Sequence, residues 1–388
     1  MNSSAFLCLN LSEISYIQVL KPKNMHHTRR NFIRKSSLAL AGSGAAFLFP
    51  MEMLATLRKR VGPNDRINVG LIGCKGMGFT DLTSMLKISE TNVIALCDVD
   101  ESVLRARTAD LEKAGIKKPK WYTDYRKLLE NKDIDVVIIG TPDHWHCLQL
   151  IDALQAGKDV YCEKPIANSI QEANIMKRFV GTSDRMVQIG QWQRSQPHFV
   201  DAINYVHSGK LGEIRLAKAW AYQGWMQPVP IIPDAPVPPG VDYNMWLGPA
   251  PKRDFNKNRF HFSFRWFWDY AGGLMTDWGV HLIDYALYGM KAGTPKSVMA
   301  LGGKFAYPDD ASETPDTLQA IFEYEDFNML WEHATGIDHG PYGRTEGIAF
   351  IGNNGTLVVN RGGYEVLVEK ERKGWSDTGT FKMETIEA

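Results

Sequence analysis

Between Arg66 and Gly190, short runs that are apolar throughout alternate with segments of helical periodicity. INVGLIG, NVIALCD, IDVVIIG, DVYC and MVQIG read as strands. FTDLTSMLKIS, ESVLRARTADLEKAG, HCLQLIDALQAG and SIQEANIMKRFV read as helices between them, with a shorter unit at WYTDYRKLLEN. A strand apolar at every position is buried on both faces, so the pattern predicts a parallel sheet with helices on each side. In this doubly wound layout, ligands sit beyond the carboxyl ends of the strands. Residues at strand ends are therefore the first candidates for chemistry.

After Gly190 the texture changes. Helix QPHFVDAINYVHSGKLG leads into strand EIRLAKAWAY, followed by a Pro-rich loop, MQPVPIIPDAPVPPG, and an aromatic run, NRFHFSFRWFWDYAGG. LQAIFEYEDF, NMLWEHATG and GTLVVNRGG then read as strands joined by turns. The expectation is an α/β chain with two units: a doubly wound domain over 65–190, then an α/β domain over 191–388 with an open, largely antiparallel sheet. A length of 388 residues is ample for two cores.

Residues 1–60 read as an export signal and linker. Arg29, Arg30, Phe32, Ile33, Arg34 and Lys35 precede a weakly apolar run, Ser36 to Phe49, too short and too rich in Gly, Ala and Ser to span a membrane. Arg-Arg-x-Phe-Ile-Arg resembles the twin-arginine signal of bacterial proteins exported already folded, which implies a periplasmic or otherwise exported protein. Cysteine use agrees. Cys74, Cys97, Cys147 and Cys162 lie in the first folded unit without disulfide spacing, and are expected to be buried free thiols. With 44 basic and 44 acidic side chains the formal charge is zero, which argues against nucleic acid as the main partner.

Four motifs fall at the predicted carboxyl edge. GLIGCKGMG (Gly70–Gly78) lies between a strand and a helix, where glycines permit a tight turn and bring backbone N–H groups to a pyrophosphate. Gly73, Gly76 and Gly78, with Met77 between the last two, are candidate dinucleotide contacts; Lys75 stands where the usual pattern has its middle glycine. Asp98 closes the second strand, 25 residues after Gly73. A carboxylate there accepts hydrogen bonds from an adenine-ribose diol and repels a 2′-phosphate, favouring NAD over NADP. GTPDHWHC places Thr141, Pro142 and His146 beyond the fourth strand. A helix cap with solvated histidines is the alternative there, and spacing alone makes no metal site. CEKP sets Glu163 and Lys164 at the end of the fifth strand. In GGLMTDWGVHLID, a continuous helix would put Asp277, His281 and Asp284 on one face, making His281 a candidate acid/base.

Taken in order, these motifs resemble the Gfo/Idh/MocA family of NAD(P)-dependent oxidoreductases, from about Arg66 to Gly363. The resemblance implies a Rossmann domain plus an open-sheet α/β domain, acting on sugars, polyols or related hydroxy compounds. It also implies a catalytic group of Lys164, Asp277 and His281, with Arg194 a substrate contact, and contacts from Thr141, Pro142, His146, Glu163 and Lys164 to the cofactor. His281, oriented by Asp277, would remove the hydroxyl proton while Lys164 steadies the oxygen. Trp266 and Trp268 are candidate sugar-stacking rings, against the alternative of a core or a subunit contact. Family members are known to pair through the second sheet, so a homo-oligomer is an expectation. The family also usually continues past a GTLVV-like strand to another helix, whereas this sequence ends at FKMETIEA, so a truncated or shortened end is expected. An exported enzyme is further expected to hold NAD tightly. The competing readings are a redox-neutral, NAD-dependent glycosidase passing through a keto-sugar, and a non-catalytic sugar-binding protein.

Overall fold

A computed structural model describes residues 66–383, together with the backbone of 386–387. The export-signal expectation falls outside the described residues. Six strands, β1 (Ile67–Ile72), β2 (Thr91–Cys97), β3 (Lys120–Tyr122), β4 (Val136–Ile139), β5 (Asp159–Cys162) and β6 (Val187–Ile189), form an all-parallel sheet. Its order is β3-β2-β1-β4-β5-β6, so the direction of winding reverses between β1 and β4. Helices α1 (Met77–Met85), α2 (Glu101–Lys113), α3 (Tyr125–Leu129), α4 (Asp143–Gln155) and α5 (Ile170–Thr182) cover the two faces. The apolar strands are buried as their composition requires: Val69, Leu71, Val137, Ile138 and Ile139 are inaccessible and divide between two cores. Asp100, Asp124 and Ser169 cap α2, α3 and α5, and Ser169 with Glu172 closes a capping box. Cys74, Cys97, Cys147 and Cys162 are buried free thiols, as expected.

The second domain begins with α6 (Pro197–His207) and β7 (Ile214–Gln223). A long insertion carries α7 (Tyr243–Leu247), and then α8 (Gly273–Asp277) and α9 (Gly279–Met290) lead into the other strands of the second sheet. These are β8 (Ser297–Gly303), β9 (Thr317–Glu323), β10 (Asn328–Thr335), β11 (Glu346–Gly352), β12 (Gly355–Asn360) and β13 (Gly363–Val368). With Ile386–Glu387 at one edge, they form an eight-stranded sheet ordered β13-β12-β11-β7-β10-β9-β8 inward from that edge. All its pairs are antiparallel except β7 with β10. The α/β class and the largely antiparallel second sheet are therefore as expected. One face packs on α6 and α9 through Phe199, Ile203, Leu282, Tyr285 and Trp331.

Two local expectations are corrected. The segment with Asp277 and His281 is not one helix: it breaks at Trp278, so Asp277 ends α8 while His281 lies in the first turn of α9. The histidines after β4 are not solvated. His144 and His146 are 3% and 1% exposed, because the insertion folds down over them and the carbonyl of Trp246 meets both His144 Nε2 and Trp145 Nε1.

Candidate active site

The winding reverses where β1 and β4 end in Gly73 and Gly140, and the backbones meet there. A Cβ on Gly73 would lie 2.7 Å from the Gly140 carbonyl, and one on Gly140 would lie 2.5 Å from Gly78 Cα. Gly78 likewise leaves no room for a side chain against the carbonyl of Gly73. Glycine at 73, 78 and 140 is therefore a packing requirement that seats α1 against the switch point. Gly76 serves differently. It has φ of 54°, and nothing lies within 4 Å of the place its Cβ would take, so that side of the turn is open. It caps α1 without a side-chain bond, leaving the helix's first N–H groups free to receive an anion. Lys75, the departure from the usual glycine pattern, lines the same opening.

From this turn a cavity of about 380 Å³ runs along the sheet edge. Gly73, Gly76, Met77, Asp98, Thr141, Pro142, Glu163 and Lys164 all line it. Asp98 accepts from the N–H of Cys74 (2.8 Å) and of Asp100 (3.0 Å), one at each oxygen, which fixes the carboxylate across the glycine turn. Burial pushes its pKa up to about 6 despite these bonds. A carboxylate so held, a bare helix N-terminus and a turn that admits backbone contact form the donor and acceptor set that a dinucleotide needs. Two other expected contacts stand behind the wall. Gly78 packs as described, and the His146 ring is wedged between two carbonyls, Nδ1 2.6 Å from that of Pro165 and Nε2 2.8 Å from that of Thr141, one of which accepts its single N–H. His146 is thus a brace between the ends of β4 and β5, and its buried ring does not line the cavity.

Lys164 stands at the other end of the cavity and reaches across to the second domain. Its Nζ donates to the Asp277 carbonyl (2.8 Å) and to Asp277 Oδ1 (3.0 Å). Asp277 Oδ1 also accepts from Arg265 Nε (3.0 Å). Burial would raise the Asp277 pKa, but Lys164 and Arg265 hold it down at about 2, so the carboxylate stays ionised. The expected orientation of His281 by Asp277 is corrected here: both cations meet Oδ1 of the carboxylate, and no hydrogen bond joins Asp277 to the His281 ring. His281 is 4% exposed, its Nδ1 has no partner, and its ring meets Trp192 edge-on at 5.6 Å between centroids. Burial pushes its pKa down to about 3, with Lys164 and Arg361 acting in the same direction and Asp277 against them. The imidazole is neutral across the physiological range.

The remaining candidates lie elsewhere. Arg194 forms a two-pronged pair with Asp284, both bonds 2.7 Å. Trp266 lines a separate cavity of about 210 Å³ with Trp225 and Tyr307. Trp268 is 55% exposed, and its N–H groups bond to Glu313. Most of the aromatic run is a core of its own, formed by Tyr243, Trp246, Phe255, Phe260, Phe264, Phe267 and Tyr270. The residues it sends to the Lys164 cavity are His261, Phe262, Phe264 and Arg265. Arg265 was not among the sequence candidates; a cation set between aromatic residues, Phe264 and Trp266, was its visible signal. Asp143 was also missed. It lines the cavity fully buried, with its pKa pushed up to about 7 by that burial.

These features define a dinucleotide-binding α/β protein of the oxidoreductase type, with Lys164 reaching from the first domain to the second. Residues 67–191 match the model for an oxidoreductase family with an NAD-binding Rossmann fold, and residues 211–324 match that family's C-terminal alpha/beta domain. The chain belongs to the Gfo/Idh/MocA family. Among curated relatives, a glycosyl hydrolase family 109 protein of Shewanella baltica (strain OS185) is 28% identical over 212 residues. That match takes in 49% of this chain and 44% of the relative, so the chain spans under half of the relative's length. Among solved structures, levoglucosan dehydrogenase in complex with NADH and levoglucosan superposes with a TM-score of 0.61 at 20% identity, covering 83% of this chain and 80% of the other. The WlbA dehydrogenase from Chromobactrium violaceum, in complex with NADH and UDP-GlcNAcA, gives 0.59 at 17%, with 80% of each chain covered. The cofactor of the Rossmann domain is NAD, and the Asp98 cradle and open helix end fit it.

Proposed function

We propose that this protein oxidises a secondary hydroxyl of a sugar, glycoside or polyol, using NAD that it retains between turnovers. The observation that carries the reading is the reach of Lys164, which lines the dinucleotide cavity, across to Asp277 of the second domain, with buried His281 near enough to feel both charges. An ammonium group has three N–H donors. Asp277 holds two of those on Lys164, leaving the third for a substrate oxygen. As the hydroxyl ionises, Lys164 stabilises the charge on oxygen, and neutral His281 receives the proton. Bound NAD would supply the hydride acceptor for the carbon bearing that oxygen. Asp98 supports NAD over NADP, since a carboxylate there disfavours a 2′-phosphate.

Retention is supported by the insertion, which clasps the adenosine end of the cavity. Glu101 N–H donates to Gly240, Asp242 N–H donates to Val99, and His261 Nε2 meets Asp100 at 2.9 Å. Export through the Arg29–Arg30 signal belongs to the same proposal, because free nicotinamide is scarce outside the cytosol. Pairing of two copies through the open sheet face is supported by a row of exposed apolar side chains there, Leu216, Ile321, Met299 and Leu301.

The test is mass spectrometry of nucleotide released from denatured protein, then a screen of sugars against the absorbance of the bound cofactor. Protein from its native envelope that contains no nucleotide would overturn the reading. Replacing Arg29 and Arg30 by lysine should leave the protein in the cytosol. A second reading, glycoside cleavage by transient oxidation with no net redox change, is favoured by the resemblance to glycosyl hydrolase family 109 proteins. Released phenol from an aryl glycoside, without accumulation of reduced cofactor, would select it.

A further inference from the structure

We infer that Arg361 receives an anionic group of the substrate, so that the sugar presented to Lys164 carries a carboxylate, as in a uronic acid or its glycosides. This rests on the sugar-oxidising reading above and adds the substrate class. Arg361 lies in the turn between β12 and β13. Its guanidinium carbon lies 4.7 Å from the centroid of Trp192 and 4.2 Å from that of Trp278. The first ring follows β6, and the second is the break between α8 and α9, so two separate elements fix one cation. Trp192 is the ring that touches His281, and Trp278 directly follows Asp277. Arg361 is thereby held one side chain away from both.

Its charge is uncommitted. Among the described residues, Arg265 pairs with Asp277, Arg194 with Asp284, Arg344 with Glu365 and Arg253 with Asp269 and Glu313, but Arg361 makes no ion pair. Glu346, the nearest acid by its influence, uses one oxygen on the backbone N–H of Arg361 and the other on the Thr345 hydroxyl. Stacking engages the faces of a guanidinium and leaves its N–H edge free. That edge is the fork that matches a carboxylate in two-pronged geometry, and aromatic contact removes much of the entropy cost of holding it ready. The residue is exposed, so a ligand can reach it. Glu346 and Asp277 are the acids that influence the guanidinium, yet neither forms an ion pair with it. A carboxylate on the substrate gives this guanidinium the direct partner that a neutral sugar does not.

The experiment uses the full chain loaded with NAD. Calorimetry with glucuronate and with methyl glucoside reads binding independently of turnover, and the cofactor's absorbance reads oxidation of each. Glucuronate should bind at least about 10-fold more tightly than the neutral sugar, as expected for a two-pronged charged contact. Arg361→Gln should raise the KM for glucuronate roughly 10- to 100-fold while leaving NAD content and the response to neutral sugars within about threefold. Arg361→Lys, which keeps the charge without the fork and guards against a variant that fails to fold, should recover part of the loss. Equal binding of the two sugars by the parent protein, or equal weakening of both in Arg361→Gln, would overturn the inference. Arg361-dependent binding of glucuronate without any oxidation would instead sustain this inference and sink the oxidation reading.

Discussion

Replacing Asp277 by asparagine tests the assembly of the site at its centre. One carboxylate oxygen serves Lys164 Nζ and Arg265 Nε, both at 3.0 Å. With an effective dielectric constant of about 20, each attraction is roughly 5 kcal/mol before desolvation is charged against it. Much of this is offset, because taking ions out of water costs several kcal/mol each, and removing one partner of a buried pair typically costs about 3–5 kcal/mol. Asparagine keeps the shape and an acceptor oxygen, and the Asp277 carbonyl still holds Lys164 at 2.8 Å, so the low end, about 3 kcal/mol, is expected. Felt wholly at the transition state, that is a loss of roughly 100-fold in turnover. Asp277 does not line the dinucleotide cavity, so nucleotide content should be unchanged. The assay is single-turnover oxidation of a responsive sugar by NAD-loaded protein, with thermal unfolding run alongside. Turnover within about threefold of the parent, at the same KM, would refute the claim that Asp277 orders Lys164.

Three more outcomes are expected. Gly140→Ala places a methyl 2.5 Å from Gly78 Cα, backbone against backbone, and should cost about 1–3 kcal/mol and lower the NAD recovered from purified protein; full nucleotide content would count against the packing account. NAD retention should fall as pH drops through about 6, where Asp98 gains its proton, with Lys75 favouring the carboxylate and Asp100 opposing it; Asp98→Asn should abolish that dependence. The sign for stability is opposite. A folded pKa above the usual 3.8 means that this group's contribution in the empty protein is full below 3.8 and is lost as pH rises through about 6. His281→Ala should cut turnover about 10²- to 10⁴-fold with nucleotide retained, and an unchanged rate would remove it as the proton acceptor.

The strands and helices around the cofactor were legible in the sequence because they are local. Uninterrupted apolar runs become buried parallel strands, and the turn glycines and Asp98 fall at strand ends whose common edge follows from the winding order. The family motifs placed Lys164 and Asp277 at one site although 113 residues separate them. The partnership within that site was not legible. A four-residue spacing suggests that Asp277 and His281 share a helix face, yet the chain breaks at Trp278, and the carboxylate meets cations from the loop after β5 and from the aromatic run instead. Trp266 and Trp268 share their composition with Phe264, so no pattern of residue types could show which of them faces the cavity.

Sequence alone thus determined the fold class, the dinucleotide turn and the chemical types present at the reactive end, since each depends on periodicity or on short-range spacing. Tertiary structure decided which charges neutralise one another. Asp277 went to Lys164 and Arg265, and Arg361 to two indole rings. The strength of such contacts depends on distance and burial, and both arise only when segments remote in the chain are packed against each other.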